Sequence, residues 1–167
     1  RLALAVGIGT LAQAPLGGIT VLTGLNPYAV MSHFLLTIVV LACAAVLCVD
    51  VLGWADDWER PSWAGPGGTV LAVWALALLV TGAIATASGT HPGDRSDIER
   101  LMGLLDAAYI HVRVAVSFVA ALAIGLWLLQ RVARPPARVA RGSALVVVLT
   151  AVQIVIGEVQ WRSQLQW

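Results

Sequence analysis

Apolar residues run through this chain in long blocks, broken by short clusters of Gly, Pro, Asn and charged residues. Five blocks, near 2–23, 29–52, 68–88, 108–130 and 143–161, are close to or above the roughly 20 helical residues needed to cross a hydrocarbon core. The pattern therefore predicts five transmembrane helices joined by loops. The few polar side chains inside these blocks stand out against it. Thr10, Gln13, His33, His111, Arg113 and Glu158 each place a hydrogen-bonding or ionisable group where lipid offers it no partner. Pro15 lies inside the first block and should kink that helix, since it lacks an N–H and crowds the preceding turn.

Composition agrees with the pattern. The chain is 59% hydrophobic and 11% charged, with mean hydropathy +0.87, against a charged fraction of about a quarter in soluble domains. It reads as a polytopic membrane protein surrounded by lipid. A net charge of +1 with no basic run gives no footprint for nucleic acid. All ten basic residues are arginine, and their placement sets orientation. Arg131, Arg134, Arg138 and Arg141 share the loop between the fourth and fifth helices, which should be cytoplasmic. Arg1 and Arg60 are then inside and Arg95, Arg100 and Arg162 outside, so His33 and His111 fall in the outer leaflet.

One motif repeats. Thr10, Gln13 and Gly17 recur as Thr150, Gln153 and Gly157, a T-x-x-Q-x-x-x-G spacing displaced by 140 positions, which implies two halves of similar build. Between Thr10 and His33 the sequence TLAQAPLGGITVLTGLNPYAVMSH reads as a helix end, a Gly/Asn/Pro turn and a second helix carrying a histidine near its start. Gly17 and Gly18 admit either a neighbouring helix or a flat ligand. His111 alone has two readings, a hydrogen-bonded core residue or a ligand. Two histidines at similar depth in a repeated fold favour ligands, and neutral imidazole in a helical bundle suits haem iron.

Other residues take simpler roles. Cys43 and Cys48 are five apart, roughly 140° around a helix, and cannot readily bridge. Trp54, Trp58, Trp63, Trp161 and Trp167 read as interfacial anchors. The loop from Gly89 to Ala107 carries His91 and then DIERLMGLLD, which suggests a short amphipathic surface helix. His91 reads as a solvated residue, or else with Arg95 or Arg100 as an anion contact. Arg113 needs a carboxylate, water or propionate, and Glu158 an arginine or a proton role.

The block AQAPLGGITVLTGLNPYAVMSHF, with LVTGAIATASGTHPGD and AVQIVIGEVQW further on, resembles the haem A synthase family. The resemblance implies an all-α membrane fold of eight helices in two pseudo-symmetric four-helix-bundle halves, of which this chain carries helices three to seven. By it, 1–52 are the last two helices of the N-terminal, substrate-haem half, 53–67 a cytoplasmic connection, and 68–167 the first three helices of the C-terminal, haem b half. His33, with Gly17 and Gly18, would serve the substrate haem O, and His111, with Arg113, a haem b. Both histidines would ligate iron. The opposite ligands belong to helices outside this sequence, and the 140-residue offset puts one of them near position 173. The expectation is of an incomplete chain, as the opening on Arg1 also suggests.

The sequence departs from the family in two places. The loop after the third helix has no cysteine pair, and Val112 stands between His111 and Arg113 where many members have arginine directly after the histidine. The family's catalytic acid lies in a loop this chain does not contain, and Asp106 is a weak counterpart of it.

The implied activity is an oxidoreductase converting the C8 methyl of haem O to the formyl group of haem A, with oxygen from water, for terminal cytochrome oxidase. The implied setting is the cell membrane, with haem sites toward the outside. The implied partners are haem O, haem A, haem O synthase, oxidase assembly factors and an electron acceptor the sequence does not identify. Two alternatives use the same residues: a b-type cytochrome relaying electrons to quinone, and a transporter or assembly subunit with a polar path.

Overall fold

The computed structural model describes residues 1–53, 58–89 and 99–163. Its helices are α1 (Leu2–Leu22), α2 (Pro27–Val51), α3 (Ala64–Ser88), α4 (Leu104–Leu128) and α5 (Ala137–Arg162), with a π-helical turn over Leu129–Ala133 extending α4. There is no strand among the described residues. All five helices are long and apolar enough to cross a membrane, so the chain is an all-α, multi-pass membrane protein. Large apolar side chains cover the outside, with Leu11 77%, Val51 75% and Leu22 82% exposed. Such a surface is tolerated in lipid and not in water.

Boundaries differ from the expected ones where loop chemistry is absorbed into a helix. α3 begins at Ala64 despite Gly65, Pro66, Gly67 and Gly68, because Pro66 lies in its first turn, where a missing N–H costs nothing. α4 takes in Leu104, Leu105 and Asp106, while Glu99–Gly103 is irregular. The surface helix expected over DIERLMGLLD is thus corrected: its end belongs to α4, and its first two residues lie outside the described residues. Helix α1 runs unbroken through Pro15.

Contacts divide the chain into two compact units. The first comprises Arg1–Asp56 and Trp74–Ala115, the second Asp57–Val73 and Val116–Trp167. In the first unit α1 and α2 form a tight hairpin. Leu25 N–H donates to the Thr20 carbonyl at 2.8 Å, and Gly24 and Leu25 adopt positive φ of 63° and 61°. The Asn26 side chain then caps α2 by accepting from Tyr28 N–H at 3.0 Å, and the fully buried Pro27 starts the helix. Down the hairpin a Cβ at Gly9 would meet Val40, Gln13 meets Thr37, and a Cβ at Gly17 would meet His33. One series rises as the other falls, the register of an antiparallel pair whose α1 face is G-x-x-x-Q-x-x-x-G.

Buried residues elsewhere in this unit are small: Ala83, Ala87, Ser88 and Ala107, at the C-terminal end of α3 and the start of α4. In the second unit a Cβ at Gly125 would lie 3.1 Å from Leu71 Cδ1. Hydroxyls inside helices satisfy themselves on the preceding turn, as Thr10 on Val6, Ser88 on Ile84 and Ser143 on Val139.

Candidate functional site

His33 and His111 lie six residues after Pro27 and seven after Leu104, so each projects from the second turn of its helix. Each ring rests on a glycine of the preceding helix. A Cβ at Gly17 would stand 3.3 Å from His33 Cε1, then 3.8 Å from Nδ1 and 3.9 Å from Nε2. A Cβ at Gly82 would stand 3.1, 3.5 and 3.8 Å from the same atoms of His111. The order of atoms is the same, so both rings are presented to their glycines the same way round. Only a residue without a side chain lets the helix backbone come this close.

The two rings differ in what meets Nδ1. His111 Nδ1 lies 3.2 Å from Thr81 Oγ1. The Thr81 hydroxyl has one hydrogen, used on the carbonyls of Ala77 at 2.9 Å and Leu78 at 3.1 Å. It therefore shows His111 a lone pair, and Nδ1–H donates. His33 Nδ1, in contrast, is buried with no hydrogen-bond partner among the described residues. The nearby Thr37 hydroxyl is already occupied, donating to the His33 carbonyl at 2.9 Å and accepting from Gln13 Nε2 at 2.7 Å. Gln13 Oε1 is buried without a partner as well.

The remaining expected residues are placed as follows. Gly18 has open space around it. Arg113 is exposed and turns back along α4, its guanidinium 4.1 Å from the centre of the Tyr109 ring and donating to the Tyr109 hydroxyl. The cation lies over the face of that ring. Glu158 pairs with Arg162 at 2.7 Å, the arginine reading. Cys43 and Cys48 are free thiols. His91, Arg95, Trp54 and Trp167 lie outside the described residues. In the second copy of the motif Thr150 bonds Val146 as Thr10 bonds Val6, while Gln153 is exposed and Gly157 has nothing within 4 Å.

Among the described residues no group of three or more His, Cys, Asp or Glu could hold a metal ion. A haem iron arrives with four macrocycle nitrogens and asks the protein for only one or two imidazoles. Single histidines in apolar walls, each with an Nε2 that no described residue engages, fit that requirement. Thr81 and Thr37 were not singled out by sequence; the only signal was a hydroxyl beside a helical glycine in Thr81-Gly82 and one turn beyond a histidine in Thr37.

Comparison with protein-family models, curated proteins and solved structures finds no match for this chain.

Proposed function

We propose that this chain is the membrane core of a haem A synthase. The observation that carries the reading is the pair of imidazoles, His33 and His111, each two turns into an apolar helix and each seated on a helical glycine in the same orientation. Together with the sequence block from Ala12 to Phe34, this supports one haem site at each histidine. His111 holds a haem b and His33 meets the iron of haem O. Gly17 and Gly82 let the Cε1 edge of each ring come close to the helix behind it.

The reaction oxidises a methyl group with water to an aldehyde, releasing four electrons and four protons. Side chains cannot draw electrons from such a bond, and haem b supplies reversible one-electron exchange when bound. The protein's own part is to hold the substrate iron through His33, to exclude bulk water with apolar walls, and to keep the two haems on separate helices. Electrons leave to an external acceptor. The proposed location is the cell membrane, with both sites in the outer leaflet.

The test is extraction and chromatography of haem from the full-length protein purified from membranes. Haem B together with haem O, a hydroxylated intermediate or haem A is expected. Haem B alone at two per chain replaces this reading with an electron-relaying cytochrome, and no haem at all replaces it with a transporter.

A further inference from the structure

The two histidines share a seat but not a lock. We infer that Thr81 is a positioning residue that fixes His111 as a permanent iron ligand, and that the lack of its counterpart at Leu16 keeps the His33 site exchangeable. The inference rests on the haem reading above and deepens it.

The Thr81 hydroxyl is the pivot of the His111 seat. Its single hydrogen points at the carbonyls of Ala77 and Leu78, so the oxygen accepts from Nδ1–H of His111. A proton held on Nδ1 leaves the Nε2 lone pair free for iron and stops the ring turning about its bond to the chain. Such an outer hydrogen bond also makes the bound imidazole a stronger donor.

At the other site the equivalent place is vacant of hydroxyl. Thr81 immediately precedes Gly82, and the residue immediately preceding Gly17 is Leu16. Leucine offers no acceptor, and Thr37 is committed to Gln13 and to the His33 carbonyl. Nothing described holds the His33 tautomer, and its Nδ1 is left buried and unsatisfied. A ligand whose ring is not fixed binds more weakly and lets go sooner. That suits a site through which a haem substrate enters and a haem product leaves, and it is the wrong arrangement for a resident cofactor. The two sites are chemically distinguished by one side chain on the helix behind each histidine.

The experiment compares Thr81→Val, Thr81→Ser and Leu16→Thr in the full-length, haem-loaded protein. Transfer of haem to excess apomyoglobin gives the release rate, and a redox titration gives the haem b potential. Thr81→Val should release haem b about tenfold faster or more, the usual scale for losing such an outer partner, and shift its potential. Thr81→Ser should restore both. Leu16→Thr should slow the release of added haem O without altering haem b. Equal release rates and potentials in the wild type, Thr81→Val and Thr81→Ser overturn the inference, as does haem O release unchanged by Leu16→Thr. Wild-type protein without haem b, or with haem b indifferent to His111→Ala, instead overturns the haem reading itself.

Discussion

Gly82 lies so close beneath His111 that a Cβ added there would stand 3.1 Å from Cε1. The Gly82→Ala substitution must push the ring off its wall by a few tenths of an ångström. Overpacking of this kind costs about 1–3 kcal/mol, and the expected outcome is loss of haem b from purified protein. Gly17→Ala, with a 3.3 Å contact to His33, should act in the same direction on the substrate site and less strongly. Gly7→Ala is the control, because nothing lies within 4 Å of it. Alanine there should raise helix stability by up to about 1 kcal/mol, read as a small increase in Tm with unchanged haem.

Separate sites make separate losses. His111→Ala should remove haem b, while His33→Ala should abolish conversion of haem O and leave haem b largely in place. Optical spectra of the reduced proteins with pyridine, which count each haem type, check this. A single haem lost from both variants contradicts the two-site assignment.

The polar link between α1 and α2 is the contact from Gln13 Nε2 to Thr37 Oγ1 at 2.7 Å. Side-chain hydrogen bonds between membrane helices average about 0.6 kcal/mol. Thr37→Val should therefore cost little more than that in thermal melts, plus the penalty of leaving the Gln13 amide unpaired in an apolar setting. Gln13→Leu removes the whole amide and leaves the Thr37 hydroxyl on the His33 carbonyl, so it should be milder than Thr37→Val. That ranking is what the melts are asked to reproduce.

Glu158 and Arg162 are 55% and 77% exposed along their side chains, so their pairing is screened wherever water reaches it. Glu158→Gln should change stability by less than about 0.5 kcal/mol and leave haem content unchanged. A large loss of turnover in that variant would instead give Glu158 the proton role.

Much of this was readable because lipid imposes blunt rules. Blocks of some 20 apolar residues became helices, the Gly24 to Pro27 cluster became the hairpin turn, and His33 and His111 stand near the starts of α2 and α4. Less readable were the helix starts at Ala64 and Leu104, where proline and glycine in a first turn, or a carboxylate such as Asp106, are as compatible with helix as with loop. Least readable was Thr81. It lies 30 residues from His111, a separation set by a loop rather than by any helical period, so no pattern along the chain connects them. Arg113 is a contrast: its neighbour Tyr109 is a full turn earlier on the same helix, within the helical period.

The seat beneath His33 is built from residues 13 to 37, within one hairpin. The seat beneath His111 needs Gly82, Thr81 and a chain that crosses the intervening loop before α4 arrives. Local contacts form before distant ones because less chain entropy is lost in closing them. In the order of synthesis, then, the first wall is complete while the second is still being translated.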